Sequence, residues 1–183
     1  FTHYLRYKND SILISYKTLN KDNPKLNCRL KNMEKFSPIR IVLDNKLKTN
    51  TKSYLFKTVK KNNTIFFYNE AIRSKILEFK KNKIMLIKSK INNNKEFDLL
   101  LILKKLYNYG CRNILVEGGN ELTKNFLRKK IFNQFYLFKS PKKLSKLIEY
   151  KEFNGFNILK QNYKTSLKAN SNFGKDTVTL YKN

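Results

Sequence analysis

Apolar residues recur along the chain in two kinds of run, and the kinds alternate. Short aliphatic and β-branched runs occur at SILIS (11–15), PIRIVLD (38–44), TIFFY (64–68), IMLIK (84–88) and NILVE (113–117). Their length and turn-forming bounds predict strands, NILVE a buried one; PIRIVLD is entered through Pro38 and closed by Asp44-Asn45. Between them lie helical patterns. Residues 2–9 read as the end of a helix, 71–79 as a helical stretch and 122–131 as a further helix. FDLLLILKKLYNYG (97–110) predicts a helix in which Phe97, Leu100, Leu101 and Lys104 share a face, with Leu99, Leu103 and Leu106 adjoining. Gly110 is placed to end it. FYLFK, FNILKQNYKTSLKA and DTVTLY read as closing strands. Strand alternating with helix implies an α/β fold, with a mostly parallel sheet covered on both faces and a C-terminal antiparallel hairpin.

Composition narrows the picture. At 183 residues the chain fits one domain, with no internal repeat; KSKINNNKE (88–96) is a surface loop too short to divide it. The longest aliphatic run, Leu99–Leu103, is too short to cross a bilayer, and FTHYLRYKND has no signal-peptide pattern. The chain opens without Met on a charged half-helix, so an upstream segment is expected. Cys28 and Cys111, with the single His3, cannot form a structural zinc site. They read as reduced thiols in a cytoplasmic protein, and no metal is expected.

The net charge of +27 raises nucleic acid as a partner. Only six of the 40 basic residues are Arg, however, and the lysines are scattered. Abundant Lys, Asn, Ile, Phe and Tyr beside scarce Gly and Pro is the signature of an AT-rich genome. A specific nucleic-acid partner is therefore not expected, although a basic nucleic-acid-binding module stands as an alternative.

Candidate chemistry concentrates in two places. In ILVEGGNELTKNF, which starts at Ile114, two of only five glycines stand together between a strand and a helix. Such a turn lets backbone approach a ligand closely, and the helix start offers unpaired N–H groups to a phosphate. It is neither the six-residue dinucleotide fingerprint nor a Walker loop, and a plain tight turn explains it equally well. Glu117 ends the strand as a solvated tip or as an acceptor aimed at a ligand. The second place is the polar loop after SILIS, with Thr18, Asp22, Asn23, Pro24 and Arg29. Thr18 and Asp22 are four apart, so one helical turn would align them. Arg6 and Arg29 stand out in a lysine-rich chain, as phosphate-binding forks or as salt-bridge partners.

These runs together resemble the reductase domain of bacterial riboflavin biosynthesis, the C-terminal half of a bifunctional deaminase–reductase. LRYKNDSILISYKTLNKDNPKLNCR, SPIRIVLDNKLK, ILVEGGNELTKNFLRKKIFNQFYLFKSPKKL and the terminal GKDTVTLY carry the likeness across nearly the whole chain. The resemblance implies a dihydrofolate-reductase-like three-layer α/β/α fold. It also implies NADPH-dependent reduction of the ribosyl group of 5-amino-6-(5-phosphoribosylamino)uracil to ribityl, by a homodimer. Another reductase of this fold, acting on a pterin, is the nearest alternative.

The resemblance places Thr18, Asp22, Asn45, Gly119, Asn120, Glu121, Leu122, Thr123, Lys124 and Asn125 at cofactor positions. It places Arg6, Leu26, Arg29 and Glu117 at substrate positions, with both arginines on the substrate phosphate and Glu117 at the other end of the substrate. Departures from the family pattern are Ser15-Tyr16-Lys17 before Thr18, Asn45 in place of Ser, and Lys143-Leu144-Ser145 in place of Leu-Leu-Gly. The family's opening strand would precede residue 1, so 1–183 reads as a single reductase domain lacking that strand. No His or Cys is arranged as an acid or nucleophile, and His3 is expected at the surface.

Overall fold

The structure, a computed structural model, describes residues 1–61, 63–141, 153, 155–163, 165–169 and 176–183. Lys143-Leu144-Ser145, and Gly174-Lys175 of the terminal motif, lie outside the described residues. The chain divides into two compact units, Phe1–Gly119 and Asn120–Asn183.

The first unit runs α1 (Thr2–Lys8), β1 (Ser11–Ser15), α2 (Tyr16–Asp22), β2 (Ile39–Leu43), α3 (Tyr54–Lys57), β3 (Thr64–Tyr68), α4 (Arg73–Lys81), β4 (Met85–Lys88), α5 (Leu99–Asn108) and β5 (Ile114–Val116). All five strands are parallel, in the order β4-β3-β2-β1-β5, and Ser11 of β1 stands opposite both Ile39 and Ile114. Alternation along the strands sends Ile12, Ile14, Val42 and Phe66 to one face. There they form a core with Leu19 of α2, Leu55 and Phe56 of α3 and Phe79 of α4. Phe79 meets Phe56 and Phe66 edge-on, with ring centroids 4.9 and 5.1 Å away. Leu13, Ile41, Ile65 and Phe67 point the other way and are just as buried. The connection through α5 returns from one sheet edge to the other, and right-handed crossovers put such a return on the face opposite α3 and α4.

Several local expectations change. The polar stretch after β1 is helix α2, not loop. Ser15 caps it by accepting from Thr18 N, and Asn23 ends it in the left-handed region (φ 42). In α5 the inward stripe is Leu99, Ile102 and Leu106, while Leu100 is 59% exposed. Asp98 caps this helix, accepting from Leu100 N and Leu101 N, so Phe97 lies before the first turn and does not set the stripe's phase. Gly110 follows the helix at φ +97, as the expected C-terminal cap requires. Replacing Asp98 with Ala should cost about 1 kcal/mol in urea unfolding, and Asp98→Asn only a few tenths. Equal losses would mean that the cap adds nothing. Strand β5 is half-buried rather than buried, because it is a sheet edge.

Arg40 is a fully buried charge. It shares the β2 face with Val42 and donates to the hydroxyls of Thr64 (3.0 and 2.7 Å) and Thr58 (2.7 Å) and to the Leu55 carbonyl (3.2 Å). Burial lowers its pKa to about 10, so it remains a cation at neutral pH.

The second unit contains α6 (Asn120–Arg128), β6 (Gln134–Lys139), α7 (Phe156–Asn162), β7 (Thr165–Ala169) and β8 (Thr177–Lys182). β8 lies between β6 and β7 and is antiparallel to both, so β7 and β8 form the expected terminal hairpin. Residues 156–162, expected as strand, are helix. Leu159 and Tyr163, four apart, pack with Leu127 and Tyr181, and the Tyr163 hydroxyl donates to the Leu127 carbonyl at 3.2 Å. Among the described residues no helix is long and apolar enough to cross a membrane.

Candidate active site

From β1 the chain builds outward through β2, β3 and β4, then returns to add β5 on the other side of β1. This makes β1/β5 the point where strand order reverses, and open α/β sheets bind ligands beyond the carboxyl ends of the strands at such a point. Those ends carry Ser15 on β1 and Glu117-Gly118-Gly119 after β5, and Glu117 N continues the pairing by donating to the Leu13 carbonyl at 3.1 Å.

The two stretches singled out in the sequence therefore meet. The Ser15 hydroxyl lies 3.2 Å from the Thr18 hydroxyl. A Cβ on Gly119 would lie 3.1 Å from that same Thr18 oxygen. The φ of Gly119 is not left-handed, so close approach, not backbone freedom, is what a bare glycine serves here.

Beside this turn is a cluster of charge. Arg6 on α1 donates from Nε to Glu117 Oε1 at 2.8 Å and from Nη2 to Oε2 at 2.7 Å, a bidentate pair. The Arg6 and Glu117 side chains are 11% and 25% exposed. Glu117 was expected at the far end of a substrate from Arg6; instead the two are joined. The three-residue β5 ends beside Leu13, which leaves its terminal carboxylate within reach of α1. A carboxylate at an apolar strand end needs such a partner.

Arg6 Nη1 also donates to the Asn27 carbonyl at 3.2 Å. His3 Nδ1 lies 3.2 Å from that carbonyl, and Arg29 Nε lies 3.1 Å from His3 Nε2. A carbonyl only accepts and a guanidinium only donates, so His3 carries its proton on Nδ1 and keeps Nε2 bare. Burial lowers the His3 pKa, and Arg29 and Arg6 lower it further by charge. His3 is thus a partly exposed, doubly bonded neutral imidazole. Its place three residues before Arg6 on a helix was the available sequence signal.

The other predicted residues are spread more widely. Asp22 is exposed at the end of α2. Asn45 is half-buried, and its carbonyl accepts from Asn69 N and Glu70 N at 3.0 and 2.9 Å. Leu26 buries its side chain in the core at φ 52, which leaves only its main chain for a ligand. On α6, within the second unit, Leu122 is buried with Phe126 and Leu127, so its side chain serves packing. Lys124 pairs with Glu121 at 3.4 Å, Glu121 is exposed, and Asn120, Thr123 and Asn125 are half-buried.

Residues 1–178 match the RibD C-terminal domain. The chain belongs to that family. The RibD C-terminal domains are riboflavin-biosynthesis pyrimidine reductases of dihydrofolate-reductase-like fold, which makes this an oxidoreductase family with a small-molecule pyrimidine substrate. The chain is 27% identical to riboflavin biosynthesis protein RibD of Aquifex aeolicus over 98% of its own length, and spans 48% of that protein. It is also 27% identical to the 5-amino-6-(5-phosphoribosylamino)uracil reductase of Buchnera aphidicola, over 75% of this chain and 68% of that one. The solved riboflavin biosynthesis reductase of Saccharomyces cerevisiae superposes with a TM-score of 0.72 at 24% identity, covering 99% of this chain and 78% of that one.

Proposed function

We propose that the chain reduces the ribosyl group of 5-amino-6-(5-phosphoribosylamino)uracil to ribityl with NADPH. The observation that carries this reading is the meeting of Thr18 with a bare Gly119 at the switch point, next to a paired Arg6 and an exposed Arg29. The name of the Buchnera relative supports the choice of substrate. Bound NADPH would supply the hydride; the protein supplies position and charge.

The residues present fit that division. Gly119 offers main chain with no Cβ to hold a diphosphate away, and the Thr18 hydroxyl adds a donor beside it. Arg29 presents its terminal N–H groups to solvent, suited to the substrate phosphate. Glu117 holds Arg6 in a fixed geometry while its carboxylate keeps lone pairs for donors on the ring. The α6 positions Asn120 to Asn125 and the positions Asp22 and Asn45 join the cofactor set on the family resemblance. The same resemblance leads us to propose a cytoplasmic homodimer, which sedimentation would test.

Titration of NADPH by fluorescence tests the cofactor assignment. Gly119→Ala should weaken binding at least about tenfold, or ~1.4 kcal/mol. Part of that loss could come from crowding of Thr18, so the same change is made in a Thr18→Ala background, where the crowded oxygen is gone. A tenfold loss that persists there belongs to the ligand. Full restoration of the Thr18→Ala affinity would remove Gly119 from the cofactor site.

A further inference from the structure

One imidazole sets the geometry of an arginine that the proposed reading assigns to substrate. His3 has both ring nitrogens committed, Nδ1–H to the Asn27 carbonyl and the Nε2 lone pair to Arg29 Nε. The same carbonyl receives Arg6, and Arg6 is fixed from behind by Glu117. Arg29 is exposed, and among the described residues its terminal nitrogens have no hydrogen-bond partner in the protein. An anion arriving from solvent therefore finds an Arg29 fork whose inner edge is already held by His3.

We propose that His3 is a positioning residue of the substrate-phosphate site: neutral, it accepts from Arg29 Nε at Nε2 and holds the guanidinium fork toward an incoming phosphate monoester. The inference rests on the proposed substrate reading, and adds to it a residue. A proton on Nε2 would set donor against donor and release Arg29, so the hold requires the neutral ring. Arg29 and Arg6, both cationic and both beside His3, disfavour that second proton, with Glu117 behind Arg6.

His3 is the only histidine in the chain, so its imidazole proton signals in NMR are unambiguous. In the free full chain their midpoint should fall below the ordinary ~6.5. At pH 8 the nitrogen signal of Nε2 should be that of an unprotonated ring nitrogen, with and without ribose 5-phosphate.

Two variants separate positioning from simple structure. His3→Gln can donate to Asn27 and accept from Arg29 without titrating. It should keep ribose 5-phosphate affinity at pH 8 within about twofold. His3→Ala, which releases Arg29, should lose about tenfold under the same conditions. If ribose 5-phosphate shifts the Arg29 side-chain N–H signals and binds His3→Ala as tightly as the unaltered chain, this inference falls while the substrate reading stands. If ribose 5-phosphate does not bind at all, both fall. Equal losses in His3→Gln and His3→Ala would also overturn the positioning role.

Discussion

Arg29→Lys should lower kcat/KM for the phosphoribosyl substrate by about ten- to hundredfold and leave NADPH affinity nearly unchanged. The charge survives this change, so any effect isolates geometry. A guanidinium can donate one N–H to His3 while two others meet a phosphate in parallel; an ammonium cannot hold both partners in that arrangement. Hydrogen bonds to charged groups contribute ~1.5–3 kcal/mol, which sets the size of the loss. The exposure of Arg29 argues against any comparable loss of fold stability. Steady-state kinetics with NADPH held saturating, beside a separate NADPH titration, makes the check. A parallel fall in both quantities, or a fall in neither, would show that Arg29 is not a substrate-phosphate ligand.

The largest effect on stability is expected at Arg40. Arg40→Ala should cost about 3–5 kcal/mol, because it opens a cavity and takes the guanidinium donors away from the Thr64 and Thr58 hydroxyls and the Leu55 carbonyl. Arg40→Met fills most of the volume and removes the burden of keeping a charge out of water, so it should cost less than half as much. Guanidinium unfolding with unchanged slope measures both. If Met proved as costly as Ala, the hydrogen bonds rather than the volume would be what matters at this position.

The legible parts of this protein were those whose cause is local. Five β-branched runs bounded by turn residues predicted five strands, because a doubly covered parallel sheet needs continuous apolar segments. Helix α2 was not legible, since its capping comes from Ser15, a residue that also ends a strand. Helix α7 was read as strand because its short run shows few turns, and only the packing of Leu159 and Tyr163 settles its period. Scarcity of arginine drew attention to Arg6 and Arg29, yet the equally rare Arg40 turns out to be a core residue. Rarity marks a residue type that lysine cannot replace, whether at a site or in a core. The double glycine pointed at the switch point. What it met there, the Thr18 hydroxyl, depends on strand pairing that no local pattern encodes. The joining of Arg6 to Glu117 was missed for the same reason.

The placement of β5 also orders events during synthesis. β5 is the last strand of its unit and pairs with β1, the first, and the Arg6–Glu117 pair closes a separation of 111 residues. A ribosome adding ~5–20 residues per second needs roughly 5–20 s to cover that distance. Throughout that interval the nascent chain can assemble β1 to β4, yet one side of β1 stays unpaired and Arg6 lacks its counter-ion. The segment most exposed to mispairing on the ribosome is therefore the segment that later borders the site. Slow decoding just before Ile114 would prolong that exposure, whereas a pause after Glu117 has emerged would not.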